Sequence, residues 1–240
     1  MKQINSRLEK PDESIFLNEN ENSFYLLGAY MADGNVDKRI NRFGFSISSK
    51  DKDWLEILKN KINKNRIVMT TRLYENKNYL QFNSKNIKNW FISWGCIPNK
   101  SLSLRIEKEI PSEYVKDFLR GVVDGDGCVC LFNKNDKHKN KTYKYKVASC
   151  YISSASKTFV DQLMNIIPKE YNPRIYTISP ENKKDCFING KKINNNNYYY
   201  RVRFFGKNAL NFLNYIYYTG HELSMPRKLN IVNSINEHYI

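Results

Sequence analysis

Two nine-residue stretches constrain the fold of this chain more than anything else in it: Leu26-Leu27-Gly28-Ala29-Tyr30-Met31-Ala32-Asp33-Gly34 and Leu119-Arg120-Gly121-Val122-Val123-Asp124-Gly125-Asp126-Gly127. Each reads as an apolar helix that stops at Asp-Gly and runs into a strand. In each, a small residue recurs four positions on, Gly28 with Ala32 and Gly121 with Gly125, so one face of each helix is nearly bare of side chains. Two such faces can meet backbone to backbone. The acid falls in the last helical turn, where the negative end of the macrodipole disfavours a carboxylate by about 0.3–1 kcal/mol. Something other than helix stability put Asp33 and Asp126 there.

This pair of motifs, in register and with the acids 93 residues apart, resembles the two signature helices of the LAGLIDADG homing endonucleases. The resemblance runs from about Tyr25 to His238. It implies an α/β (α+β) fold of two pseudo-symmetric αββαββα halves, with helices packed on one face of saddle-shaped antiparallel sheets that lie over duplex DNA. It also implies that Asp33 and Asp126 are the metal-binding acids. Lys100 and Lys228 match the family's basic position near the scissile phosphates, where a cation polarises a phosphate or orients the attacking water.

The order of elements repeats. The alternation Phe43-Gly44-Phe45-Ser46-Ile47-Ser48 predicts a strand buried on one face, followed by an amphipathic helix on Trp54, Leu55, Ile57, Leu58 and Ile62. Strands near 66–74 and 79–83 and a helix over 85–94, ended by Gly95, complete the first set. Ser153-Ser154-Ala155-Ser156-Lys157 then echoes the stretch Ser48 to Lys52. Phe204-Phe205-Gly206-Lys207-Asn208 echoes Phe82 to Asn86, and Met225-Pro226-Arg227-Lys228 echoes Ile97-Pro98-Asn99-Lys100. The expected division is a polar N-terminal arm over 1–20, a first half over 21–110 and a second half over 111–240, sharing one helix-helix seam.

Lys and Arg number 39 against 24 Asp and Glu, a net charge of +15 that fits a polyanionic partner. The five cysteines are odd in number and contain no C-x-x-C pair, so neither a disulfide framework nor a zinc site is indicated, and an intracellular setting, cytoplasm or organelle matrix, is expected. No apolar run approaches the ~20 residues that span a bilayer, and no secretory leader is visible. The chain as read also lacks the terminal Cys or Ser and closing Asn of protein splicing, so a free-standing enzyme is expected.

If the bare helix faces cross, Asp33 and Asp126 meet, and two like charges that close raise one acid's pKa or call in a cation. Carboxylate oxygen suits Mg²⁺, which keeps waters and binds phosphates. Asp124 stands outside this pair, because the first copy has Met31 at the matching position. Strand alternation places Arg42, Ser46, Ser48, Tyr79, Gln81 and Asn83 in the first half, and Arg201 and Arg203 in the second, on the face away from the helices. Arg66, Arg72, Ser149, Tyr151 and Arg174 are further candidates for reaching base edges and phosphates. The expectation is a monomeric, Mg²⁺-dependent endonuclease that cuts double-stranded DNA at a long, loosely palindromic site. The alternatives are an intron RNA maturase and a DNA-binding regulator built on a degenerate endonuclease.

Overall fold

A computed structural model describes residues 11–36, 42–48, 51–62, 69–72, 77–138, 141–180, 186–188, 191–193 and 197–239. The elements run α1 (Ser14–Leu17), α2 (Glu21–Asp33), β1 (Gly34–Val36), β2 (Arg42–Ser48), α3 (Lys52–Ile62), β3 (Met69–Arg72), β4 (Lys77–Asn83) and α4 (Lys85–Ser93). They continue with α5 (Val115–Asp126), β5 (Gly127–His138), β6 (Lys141–Ser154), α6 (Lys157–Ile166), β7 (Arg174–Ile178), β8 (Cys186–Ile188), β9 (Lys191–Ile193), β10 (Tyr199–Phe205), α7 (Lys207–Ile216) and α8 (Pro226–Tyr239). The architecture is the mixed α+β arrangement expected. Strands order as β1-β2-β4-β3 in one sheet and β5-β6-β10-β7 in the other, and every pairing in both is antiparallel.

The two αββαββα sets are α2 to α4 and α5 to α7. The second differs in ways the repeat did not announce: a β8–β9 hairpin stands between β7 and β10, and the 14-residue α8 follows α7. The matching stretch of the first set, after Pro98, forms only a short 3₁₀ turn over Lys100–Leu102. Of the strand expected over 66–74, Met69–Arg72 is seen and the remainder lies outside the described residues.

Local chemistry sets the helix starts. Asn20 caps α2 by accepting from the backbone N–H of Asn22 and Ser23, while Ser23 Oγ accepts from Asn20 N at 2.7 Å. Ser84 and Ser156 cap α4 and α6 through Ile87 N and Phe159 N. Gly95, at φ +102°, turns the chain out of α4, and a Cβ there would lie 2.0 Å from Arg105 O.

Helix α2 is buried from Asn22 to Met31, as befits a helix with no solvent face. Its near side meets α5. A Cβ on Gly28 would lie 2.1 Å from Phe118 O, and one on Gly121 would lie 2.1 Å from Tyr25 O, so the backbones touch reciprocally at these two positions. Around this seam the core is aromatic. Tyr30 stacks on Phe91 at 3.8 Å, Phe204 stacks on Phe212 at 3.8 Å, and Phe16 of α1 meets Trp90 and Phe91 edge-on at 5.5 Å. In the second sheet Val202 and Phe204 are buried towards the helices and Arg201 and Arg203 lie on the opposite face. Among the described residues no helix is long and apolar enough to cross a membrane.

Gly121→Ala should destabilise the protein by about 3 kcal/mol or more, because the methyl group meets a carbonyl oxygen rather than a side chain that can turn aside. Urea unfolding of the variant beside Arg105→Ala, an exposed control, measures it. A Gly121→Ala midpoint equal to wild type would contradict the backbone contact.

Candidate active site and nucleic-acid interface

The seam delivers one carboxylate from each helix to a common point. Asp33 ends α2 and Asp126 ends α5, each followed by a glycine that opens a strand. Close approach persists to this end: a Cβ on Gly125 would lie 2.3 Å from Ala32 Cβ and 3.4 Å from Asp33 Oδ2. Asp33 is partly buried, whereas Asp126 reaches solvent while protein surrounds its other sides. Neither carboxylate has a hydrogen-bond partner among the described residues.

Lys100 and Lys228 each sit at a helix end that carries an acid. Lys100 Nζ donates to Gly34 O at 2.6 Å, at the C-terminus of α2. Lys228 is 3% exposed, and its Nζ donates to Val123 O at 2.7 Å, Asp124 O at 2.6 Å and Gly125 O at 3.4 Å, at the C-terminus of α5. A loop lysine is ordinarily solvated; these two instead neutralise the helix ends that carry the acids. Burial and the charge of Asp126 push Asp33 up to about 7, against the pull of Lys228 and Lys100. Burial likewise raises Asp126, with Lys100 the larger opposing charge and Lys228 the smaller. Desolvation lowers both lysines; Cys96 and then Asp126 and Asp33 offset part of the shift at Lys100, and Asp124 offsets part of it at Lys228, where Arg227 adds to the lowering.

Two adjacent carboxylates with free oxygens suit a hard divalent cation. Among the described residues no group of three or more His, Cys, Asp or Glu side chains gathers, so Asp33 and Asp126 would leave waters or phosphate oxygens to complete the coordination.

Asp124, set apart from the acid pair by sequence, is fully buried and does different work. Its carboxylate accepts from Tyr25 OH at 2.6 Å, Tyr217 OH at 2.6 Å and Met225 N at 2.8 Å, and Trp54 Nε1 donates to Tyr25 OH at 2.8 Å. Burial raises its pKa, and Lys228 with the three donors pulls against that rise. Arg120, also wholly buried, donates to Leu223 O and Ile216 O and pairs with Asp117 at 2.8 Å. Together Asp124 and Arg120 tie the segment before α8, and so Lys228, to α5. Their role was hidden because a charged residue within an amphipathic pattern reads as a solvent face.

On the sheet side, Arg201 Nε donates to Ser153 Oγ at 3.1 Å, and its guanidinium lies 3.9 Å from the centre of the Tyr151 ring. Arg203 Nε donates to Ser149 Oγ at 3.3 Å. Ser149 is only 2% exposed, which corrects its expected place at the surface: it lies beneath Arg203 and orients it. Arg174 pairs in register with Arg203 and is exposed. Tyr79 and Gln81 are half-buried and Asn83 is exposed. Arg66 and the side chains of Arg42, Ser46, Ser48 and Arg72 lie outside the described residues.

A further basic surface escaped the sequence reading. Strands β5 and β6 pair from Gly127↔Ile152 to His138↔Lys141, whereas β10 covers only Ser149 to Ser154 of β6. The outer part is therefore a two-stranded ribbon projecting past the sheet, with Lys141, Tyr143, Lys144, Tyr145 and Lys146 all exposed. The polar run Lys141 to Lys146 between two strand patterns was the available signal.

No protein-family model matches the sequence. A curated relative, the uncharacterized protein MJ0314 of Methanocaldococcus jannaschii, is 25% identical over 177 residues, and the match spans 70% of this chain and 61% of the relative's length. Among solved structures, the chain is similar to the LAGLIDADG meganuclease I-AabMI bound to uncleaved DNA, at 10% identity and a TM-score of 0.56 over 91% of this chain and 92% of that one. It is also similar to the LAGLIDADG homing endonuclease I-LtrWI bound to target DNA, at 16% identity and 0.52 over 89% of each chain. The LAGLIDADG homing endonuclease I-GzeII in complex with its DNA target matches at 12% identity and 0.51 over 91% of each. The likeness first seen in two helices thus extends to the fold of about nine-tenths of the chain.

A raised carboxylate is a stability cost that grows as pH rises from the unfolded pKa near 4 to the folded value of about 7, because the folded state resists losing the proton. With a chelator present, Asp33→Asn should match wild type in stability below pH 4 and exceed it by about 2–4 kcal/mol above pH 7. Urea titrations across that range test this; a gap that does not change with pH would contradict the paired-acid electrostatics.

Proposed function

We propose that this chain, whose fold is that of the LAGLIDADG homing endonucleases, is a site-specific endonuclease that hydrolyses both strands of duplex DNA with Mg²⁺. The single observation that carries the reading is the convergence of Asp33 and Asp126, from opposite sets of elements, with unpartnered carboxylates and a lysine beside each helix end. Both acids belong to one chain, so a monomer suffices, with halves over 21–110 and 111–240. Because the halves differ in sequence, the DNA site is long and only loosely palindromic.

Asp33 and Asp126 would hold a divalent cation, which would supply an activated water and charge to steady the leaving oxygen of a phosphodiester. The same two carboxylates would orient that water towards the phosphorus. Lys100 and Lys228 add positive charge next to the scissile phosphates and keep the helix ends from repelling the incoming anion. Arg174, Arg201 and Arg203, with Tyr151 and the Lys141 to Lys146 ribbon, meet phosphates and base edges along the duplex. The Mg²⁺ assignment rests on the chemistry of the donor pair, and the DNA assignment on the basic sheet face together with the DNA-bound state of the similar structures.

Incubating the protein with a randomised duplex library, with Mg²⁺ and with a chelator, and sequencing the cut ends and the bound, uncut molecules tests the reading. Discrete metal-dependent double-strand cuts within one extended motif are expected. Asp33→Asn and Asp126→Asn should each slow cutting roughly 1,000-fold or more while sparing most of the affinity, which phosphate contacts dominate. Either variant cutting both strands at the wild-type rate would overturn the metal site. Enrichment of a motif without cutting would point to a regulator, and neither outcome to an intron RNA partner.

A further inference from the structure

The two lysines beside the acids are held in different ways. Lys100 donates to one carbonyl, and the residue before it, Asn99, is exposed in the left-handed region at φ 60°. Lys228 donates to three carbonyls, and the residue before it, Arg227, reaches across the seam to the entry of α3. There Arg227 Nε lies 2.7 Å from Asp51 Oδ1, and Nη2 lies 3.2 Å from Asp51 Oδ2. The Asp51 side chain is 7% exposed, so the two-pronged pair is partly withdrawn from water, the setting in which an Arg–carboxylate contact fixes position as well as charge.

The sequence echo supplies an internal control. Asn99 stands where Arg227 does, and Ser156 stands where Asp51 does, so the other side of the seam cannot form an ion pair. Ser156 Oγ instead donates to Leu104 O at 2.6 Å, four residues beyond Lys100. Met31 stands where Asp124 does, so the bond that Met225 N donates to Asp124 also has no counterpart. One lysine is thus clamped on both flanks of its proline, and the other is not.

Resting on the endonuclease reading, we propose that Arg227 and Asp51 are positioning residues: a latch across the seam that fixes Lys228, so that cutting of the two DNA strands depends unequally on it. Breaking the latch loosens Lys228 on one flank of its proline, leaving the Asp124 contact with Met225 on the other, and leaves Lys100 as it was. The strand served by Lys228 then slows, and the duplex is left nicked.

Two measurements test this, the first without any need for activity. Limited acetylation with mass-spectrometric readout should show Lys228 protected in the wild type and roughly tenfold more reactive in Arg227→Met and in Asp51→Asn, with Lys100 unchanged in both. On a supercoiled plasmid carrying the selected site, both variants should accumulate nicked circles. One strand is slowed roughly 10- to 100-fold while DNA affinity changes little, and Arg227→Lys, which retains a charge for Asp51, falls between Arg227→Met and wild type. Unchanged Lys228 reactivity, or equal slowing of both strands, would overturn the latch. Lost affinity with an unchanged single-turnover rate would overturn it too, and make Arg227 a phosphate contact. A wild type that never cuts, with the Lys228 response intact, would overturn the endonuclease reading and the unequal cutting while upholding the latch.

Discussion

The contact between the backbones of α2 and α5 is the constraint on which the rest of the structure depends. Gly28 and Gly121 each stand where a Cβ would lie 2.1 Å from a carbonyl oxygen of the other helix, and Gly125 leaves room beside Ala32. With backbone against backbone at Gly28 and Gly121, and only the Ala32 methyl beside Gly125, the two C-termini arrive together. The acids Asp33 and Asp126 therefore meet as a consequence of packing, and the sheets that follow each glycine start from a fixed common origin.

That convergence has an electrostatic cost, and the surrounding residues are arranged around it. Two carboxylates at two helix C-termini oppose both each other and the macrodipoles. Lys100 and Lys228 sit on those C-terminal carbonyls and offset part of the repulsion, yet burial and the second acid still win at Asp33, which is held at about 7. A cation between the acids would remove the remainder. Lys228 is kept in this role by neighbours that touch no candidate ligand: Asp124 and Arg120 anchor the segment leading to it, and Arg227 ties it to Asp51.

Much of this could be read from the residues in order. The matched Gly-x-x-x-small faces, the Asp-Gly ends and the repeat of Ser-rich helix starts gave the seam, the acid pair and the αββαββα order, because each depends on local spacing. What could not be read depends on contacts between distant residues. Asp124 and Arg120 look like solvent-facing charges until the segment Ile216 to Met225 folds over them. Ser149 follows strand alternation to the outer face, yet Arg203 covers it. Lys228 reads as a loop lysine until α8 begins at Pro226 and aims it into α5. The β5–β6 ribbon outgrew its sheet because β10 is short, which neither strand announces by itself.

We propose that divalent metal is held jointly by Asp33 and Asp126, and electron paramagnetic resonance with Mn²⁺ tests this. Titrating Mn²⁺ into wild type, Asp33→Asn and Asp126→Asn, each bound to the same DNA, compares the signal of the bound ion. A site seen in wild type and lost in both variants alike, with folding and DNA affinity intact, is the expected result. A site that survives the loss of either acid would contradict it.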